Sequence, residues 1–129
     1  MIESDRWEEV LQHLLDSRLS VFMGTVQKDK SLEMHAVHAP RRIENAWIFH
    51  VEVSWTLAQQ WDLRQPQVMC LGLYSARAFY RAMLFGKAWI CREDVPPANG
   101  QVCVRFVAER VHVYNTAGTQ SRQLPHQAS

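Results

Sequence analysis

The sequence lacks most of the parts from which familiar catalytic sites are built. Its five glycines are scattered, with neither G-x-G-x-x-G nor a Walker-type phosphate loop, so no glycine-rich cradle for a nucleotide phosphate is present. There is no G-x-S-x-G elbow and no H-E-x-x-H pair, which removes the common serine-hydrolase and zinc-protease arrangements. The three cysteines, Cys70, Cys91 and Cys103, are odd in number and form no C-x-x-C pair. They fall in the apolar runs "VMCLGL", "AWICRED" and "QVCVRF", which predicts buried, reduced thiols rather than a disulfide framework. A strong excess of charge is missing as well: the formal net charge is +1, so no broad attraction to nucleic acid or anionic membrane is expected. No apolar run approaches the roughly 18 residues of a spanning helix. The opening "MIESDRWEEV" is acidic and without the apolar segment of a signal peptide, so the expected location is the cytoplasm.

What is present describes one globular domain. Apolar residues make up 47% of the 129 and charged residues 21%, a balance that supports a packed core. In "SDRWEEVLQHLLDSR", Trp7, Val10, Leu11, Leu14 and Leu15 recur at helical spacing, predicting a leading amphipathic helix. Strands follow. "LSVFMGTVQ" leads through the turn "KDKS" to "LEMHAVHAP", which is expected to end at Pro40. "AWIFHVEV" alternates Trp47, Phe49, Val51 and Val53 on one face with Ile48, His50, Glu52 and Ser54 on the other. A short helix is expected in "TLAQQWDLRQ", stopping near Pro66. "QVMCLGLY" is apolar on both faces, as a central strand would be. "FYRAMLFGKAWICRE" should bend at Gly86. "QVCVRFVAERVHVY" should close the sheet with a break near "AER", and the tail over 115–129 lacks apolar periodicity and should be mobile. An antiparallel sheet of about six strands hides its edges best by curling into a barrel.

Histidines and aromatics supply the candidate sites. His35 and His38 are three apart and so point to opposite faces of a regular strand, while His50 and Glu52 share a face but make only two ligands. No metal site is expected from these spacings. Trp47, Trp55, Trp61 and Trp89 suit either a core or a flat ligand. The segment "HVEVSWTLAQQ" is more specific. A strand ending at Ser54 and a helix starting near Thr56 would offer two hydroxyls and helix N–H groups to an anion, unless these residues only cap the helix. With no nucleophile in view, any redox chemistry would belong to a bound cofactor.

In order and spacing these segments resemble the FMN-binding split-barrel family, which includes pyridoxamine 5′-phosphate oxidases and general-stress flavoproteins. The resemblance rests on "RWEEVLQHLLDSRLSVFMGTV", "LEMHAVHAP", "AWIFHVEVSWTLAQQWDLRQPQVMCLGL" and "FYRAMLFGKAWICRED", the last through Gly86, Ala88, Ile90 and Asp94. It implies an antiparallel split β-barrel over 1–114, mainly β with flanking helices, that forms a homodimer and binds FMN where two subunits meet. The flavin ring would lie against His35, Ala36, Val37, His38, Val51, Glu52 and Val53. The phosphate would sit at Ser54, Trp55 and Thr56. From Ser54 to Asp62 this chain has no lysine or arginine, where the family usually adds a basic residue. The phosphate would then rely on hydroxyls, backbone N–H groups, Gln59, Gln60, or an arginine such as Arg41, Arg42, Arg77 or Arg81. The loop "DVPPANG" is shorter than in many relatives. The implied function is redox chemistry on a small molecule. The alternatives are a non-catalytic barrel with a degenerate flavin site, and a groove for haem or a deazaflavin near His35, His38 or His50.

Overall fold

A computed structural model describes residues 19–26, 29, 31–43, 46–75, 81–91, 100–115 and 118–123. The leading helix expected over 4–18 and the loop "DVPPANG" lie outside the described residues, as does Arg77. Among the described residues seven strands run β1 (Leu19–Val26), β2 (Leu32–Arg42), β3 (Ile48–Ser54), β4 (Gln67–Ser75), β5 (Arg81–Ile90), β6 (Gln101–Asn115) and β7 (Gly118–Gln123), with one short helix, α1 (Trp55–Gln60), between β3 and β4. All pairings are antiparallel, in the order β3-β2-β1-β4-β5-β6-β7.

One further pairing makes this sheet a barrel. β3 also bonds β6, from Ile48 opposite Val107 to Ser54 opposite Gln101, so six strands close into a ring. The same edge of β6 then pairs with β7, from Arg110 opposite Gln123 to Asn115 opposite Gly118. β6 is thus shared along its length: its first half shuts the barrel and its second half carries an extra hairpin. Closure removes the long open edges that an isolated six-stranded sheet would expose.

Alternation fills the interior. Phe49, Val51 and Val53 from β3, Met69, Leu71 and Leu73 from β4, and Val104 and Phe106 from β6 are all buried in one cluster. Val21 and Met23 from β1 join them, as do Ala82, Leu84, Ala88 and Ile90 from β5. The alternation expected for β3 therefore holds, and β4 is buried almost throughout, with Val68 the exposed exception at 73%.

Two irregularities aim the strands. Between Phe85 and Gly86 the β5–β6 register slips: Phe85 faces Arg110 but Gly86 faces Ala108, leaving Glu109 as an extra residue on β6. The bend expected at Gly86 is this bulge, and β6 is bulged rather than broken at "AER". A second slip separates His38 from Arg41 on β2. Pro40 falls inside it, where a residue without an N–H costs the ladder least. β2 consequently runs on to Arg42 instead of ending at the proline.

Three other expectations need correcting. The mobile tail supplies β7 over 118–123, which is held by its backbone ladder to β6 and needs no apolar alternation. The helix ends at Gln60 and not near Pro66, because Trp61 caps it and Asp62 turns left-handed at φ 53°. Of the three thiols only Cys70 is buried; Cys103 is half-buried and Cys91 exposed. Cys103 sits on the outer side of β6, and Cys91 just beyond the end of β5.

Candidate functional site

The outer face of β2, β3 and β6 gathers most of the polar candidates. Register sets the arrangement: His38 lies opposite Glu52, which lies opposite Cys103, and His50 lies opposite Arg105. Glu52 and Ala36 are exposed, and His50, Ser54 and Arg105 half-buried. An alanine at position 36 leaves a low surface beside this polar strip. Val37, Val51 and Val53 point the other way, at 6%, 1% and 1% exposure. Of the residues expected to touch a flavin ring, these three can therefore offer only backbone. His35 also leaves the strip. Its partner across the ladder is the buried Met23, and its ring meets Trp61 edge-on at 5.7 Å while Nε2 lies 3.1 Å from Glu33. His35 thus ties β2 to the turn after α1.

The turn after Val53 shows how an anion site and a helix cap compete for the same groups. Ser54 Oγ accepts the N–H of Leu57 at 3.1 Å, an N-cap. The N–H of Trp55 donates to the carbonyl of Gly100 at 2.8 Å. Two of the N–H groups expected to be open to an anion are therefore already used. Gly100 reaches this position with φ of +75°, a backbone conformation that favours glycine. The Ser54 hydroxyl still has its own proton to donate. Thr56, Gln59 and Gln60 are all exposed around it, whereas Trp55 packs partly against the core. The donors here are neutral, and α1 carries no basic residue in its last turn. Arg42 is committed elsewhere: Nε donates to the Ala46 carbonyl at 2.8 Å and the guanidinium covers the Trp47 ring at 4.1 Å.

Positive charge collects instead at His50. Arg105 Nε donates to His50 Nε2 at 3.3 Å, so Nε2 carries no proton. Burial, and then the Arg105 and Arg41 guanidiniums, hold His50 below the ordinary histidine value. Sequence spacing had paired no metal ligands, but the closed barrel brings His50 of β3, Cys103 of β6 and Cys91, just after β5, together, with one ligand atom of each within 4.8 Å of the others. Sequence spacing alone gives no signal for this. Their adjacency depends on the β3–β6 closure.

A second polar-aromatic region lies at the far end of β5 and β6. A cavity of about 210 Å³ is lined by Tyr74, Arg81, Ala82, Met83 and Tyr114, below the range of typical small-molecule pockets. Arg81 sits over the Tyr114 ring at 4.9 Å. His112 stacks on Tyr114 and meets Phe85 edge-on at 5.3 Å. Burial, helped by Arg110, lowers the His112 pKa. The unfolded chain therefore takes up a proton more readily than the folded one. The resulting stability is full above the ordinary histidine value of about 6.5 and falls as pH drops below it. Acidification from neutral pH should destabilise the wild type more than His112→Gln, measured by urea unfolding at several pH values. Parallel profiles would contradict this assignment.

No protein-family model matches the sequence, and no curated protein matches it. Among solved structures, the chain is similar to a protein from Clostridium acetobutylicum that is related to general stress protein 26 of B. subtilis, of the pyridoxine phosphate oxidase family. The TM-score is 0.73 at 14% identity, over 95% of this chain and 97% of that one. Among the described residues no helix is long and apolar enough to cross a membrane. Identity this low establishes architecture and nothing more, and the chain is accordingly a split β-barrel of the pyridoxine phosphate oxidase-like type.

Proposed function

We propose that the protein is a flavin-binding split barrel, a homodimer that holds FMN against the outer strip of β2 and β3 and serves small-molecule redox chemistry. The observation that carries this reading is the juxtaposition of a low, exposed strip at Ala36 and Glu52, with His38 opposite Glu52 in the ladder, and the donor-bearing turn at Ser54 and Thr56. It sits on a barrel like that of a protein of the pyridoxine phosphate oxidase family. The residues present suit the cofactor unequally. The strip admits a planar ring. The phosphate would be held by the Ser54 and Thr56 hydroxyls and the Gln59 and Gln60 amides, without the charged hydrogen bond that contributes about 1.5–3 kcal/mol. Affinity is therefore expected to be modest. Bound FMN would supply hydride transfer, and the protein would position the ring and fix its orientation.

A second reading, a barrel that binds a ligand without flavin, draws on the two N–H groups already consumed at Trp55 and Leu57. One experiment separates the two. A ligand that binds only the folded state raises the melting temperature, and free FMN at about 100 times Kd adds roughly 2.7 kcal/mol. FMN should raise it and riboflavin, lacking the phosphate, should raise it less. No shift at saturating FMN rejects the flavin reading in favour of the second.

A further inference from the structure

We propose that His50, Cys91 and Cys103 form a zinc site on the outer face of the barrel. Their ligand atoms lie within 4.8 Å of one another, and the backbone explains why. The β3–β6 register sets His50 opposite Arg105 and Glu52 opposite Cys103, so His50 and Cys103 are diagonal neighbours on one face. Cys91 follows the last residue of β5, and its N–H donates to the Cys103 carbonyl at 3.0 Å. The two thiols consequently lie side by side, with the sulfurs 3.1 Å apart.

That separation suits a metal better than a bond. With zinc–sulfur distances of about 2.3 Å, tetrahedral geometry places two sulfurs roughly 3.8 Å apart. The thiols would have to part by about 0.7 Å, within reach of side-chain rotations. A disulfide at about 2.0 Å would need them to close by roughly 1 Å, and an oxidant besides. It would also leave the histidine unexplained.

The donor set defines the ion. Two soft thiolates and a borderline imidazole favour zinc over the hard cations. His50 already presents an unprotonated Nε2, and zinc would replace the Arg105 N–H there. Binding converts two thiols to thiolates and releases two protons to solvent. Two thiolates then balance the zinc dication, so the neighbouring guanidiniums of Arg41 and Arg105 meet a site of no net charge. Three protein ligands leave one tetrahedral position open, as in zinc sites that bind water or substrate. Cys91 is exposed, so an ion can reach the site from solvent. Glu52, exposed on the same face, lies opposite Cys103 in the ladder.

The test uses the full chain, flavin-free and reduced under anaerobic conditions, and so does not depend on the flavin reading. Zinc should bind at one ion per chain in competition with a chromophoric chelator. Cobalt(II) in its place should give the thiolate charge-transfer absorption of a tetrahedral site. Cys91→Ser, Cys103→Ser and His50→Gln should each weaken binding by about a hundredfold, the upper end of what changes outside the ligand shell cost. Cys70→Ala, in a different part of the barrel, should leave it unchanged. A measurement on the wild type alone guards against variants that fail to fold: zinc should protect Cys91 and Cys103 from alkylation, mapped by mass spectrometry. The proposal is overturned if zinc does not bind, if it protects neither thiol, or if the cysteine variants bind it as tightly as the wild type. A Cys91–Cys103 disulfide in anaerobically handled protein would overturn it too.

Discussion

Gly86→Ala is expected to cost about 3 kcal/mol of stability, the upper end of ordinary overpacking, and to lower the melting temperature by roughly 10 °C. The added methyl would run into the carbonyl oxygen of Val107. That oxygen belongs to the backbone of β6 and cannot rotate aside as a side chain would. Moving it disturbs the register slip at Phe85 and Gly86, and so the stretch where β6 turns from closing the barrel to carrying β7. Thermal and urea unfolding measure the loss directly. A change under about 1 kcal/mol would mean that the bulge yields easily and does not fix the path of β6.

Thr56→Glu should separate folding from ligand binding. Position 56 is exposed in the first turn of α1, where a carboxylate interacts favourably with the helix dipole, by about 0.3–1 kcal/mol. The fold should therefore be unharmed or slightly stabilised. Against a phosphate at the same turn, the new charge should cost about 3 kcal/mol or more, weakening FMN by more than about a hundredfold. Riboflavin, which brings no phosphate, should bind wild type and variant alike. Equal loss of both ligands would point to a disturbed ring site, and retained FMN affinity would place the phosphate elsewhere.

Much of the fold was legible because it depends on short-range pattern. The alternation through Phe49, Val51 and Val53 reports one buried face of β3. The unbroken apolar run from Met69 to Leu73 reports a strand covered on both sides, and a lone glycine between strand residues marks the bulge at position 86. The features that escaped are set by backbone pairing or by register between distant segments. β7 has no apolar alternation and is held by its ladder to β6. The helix stops at Gln60 through the left-handed Asp62, a local conformation with no hydrophobic signature.

The candidate site was less legible for the same reason. Naming Ser54 and Thr56 required only a strand followed by a helix. Knowing that Gly100 takes the Trp55 N–H required the start of β6 to be beside the start of α1. The side chains of Val37, Val51 and Val53 fill the face buried by alternation, so they leave only their backbone to the outer strip. His50, Cys91 and Cys103 are separated by up to 53 residues, and only the closure of β3 on β6 makes them neighbours.

The central claim is that the turn after Val53 and the strip beside it together hold FMN. Equilibrium titration of flavin-free protein with FMN, followed by flavin fluorescence, tests it most directly. The account predicts saturable binding at one FMN per chain in a dimeric protein, weakened by Thr56→Glu. A chain that leaves FMN fluorescence unchanged at every concentration, while remaining folded, would contradict it.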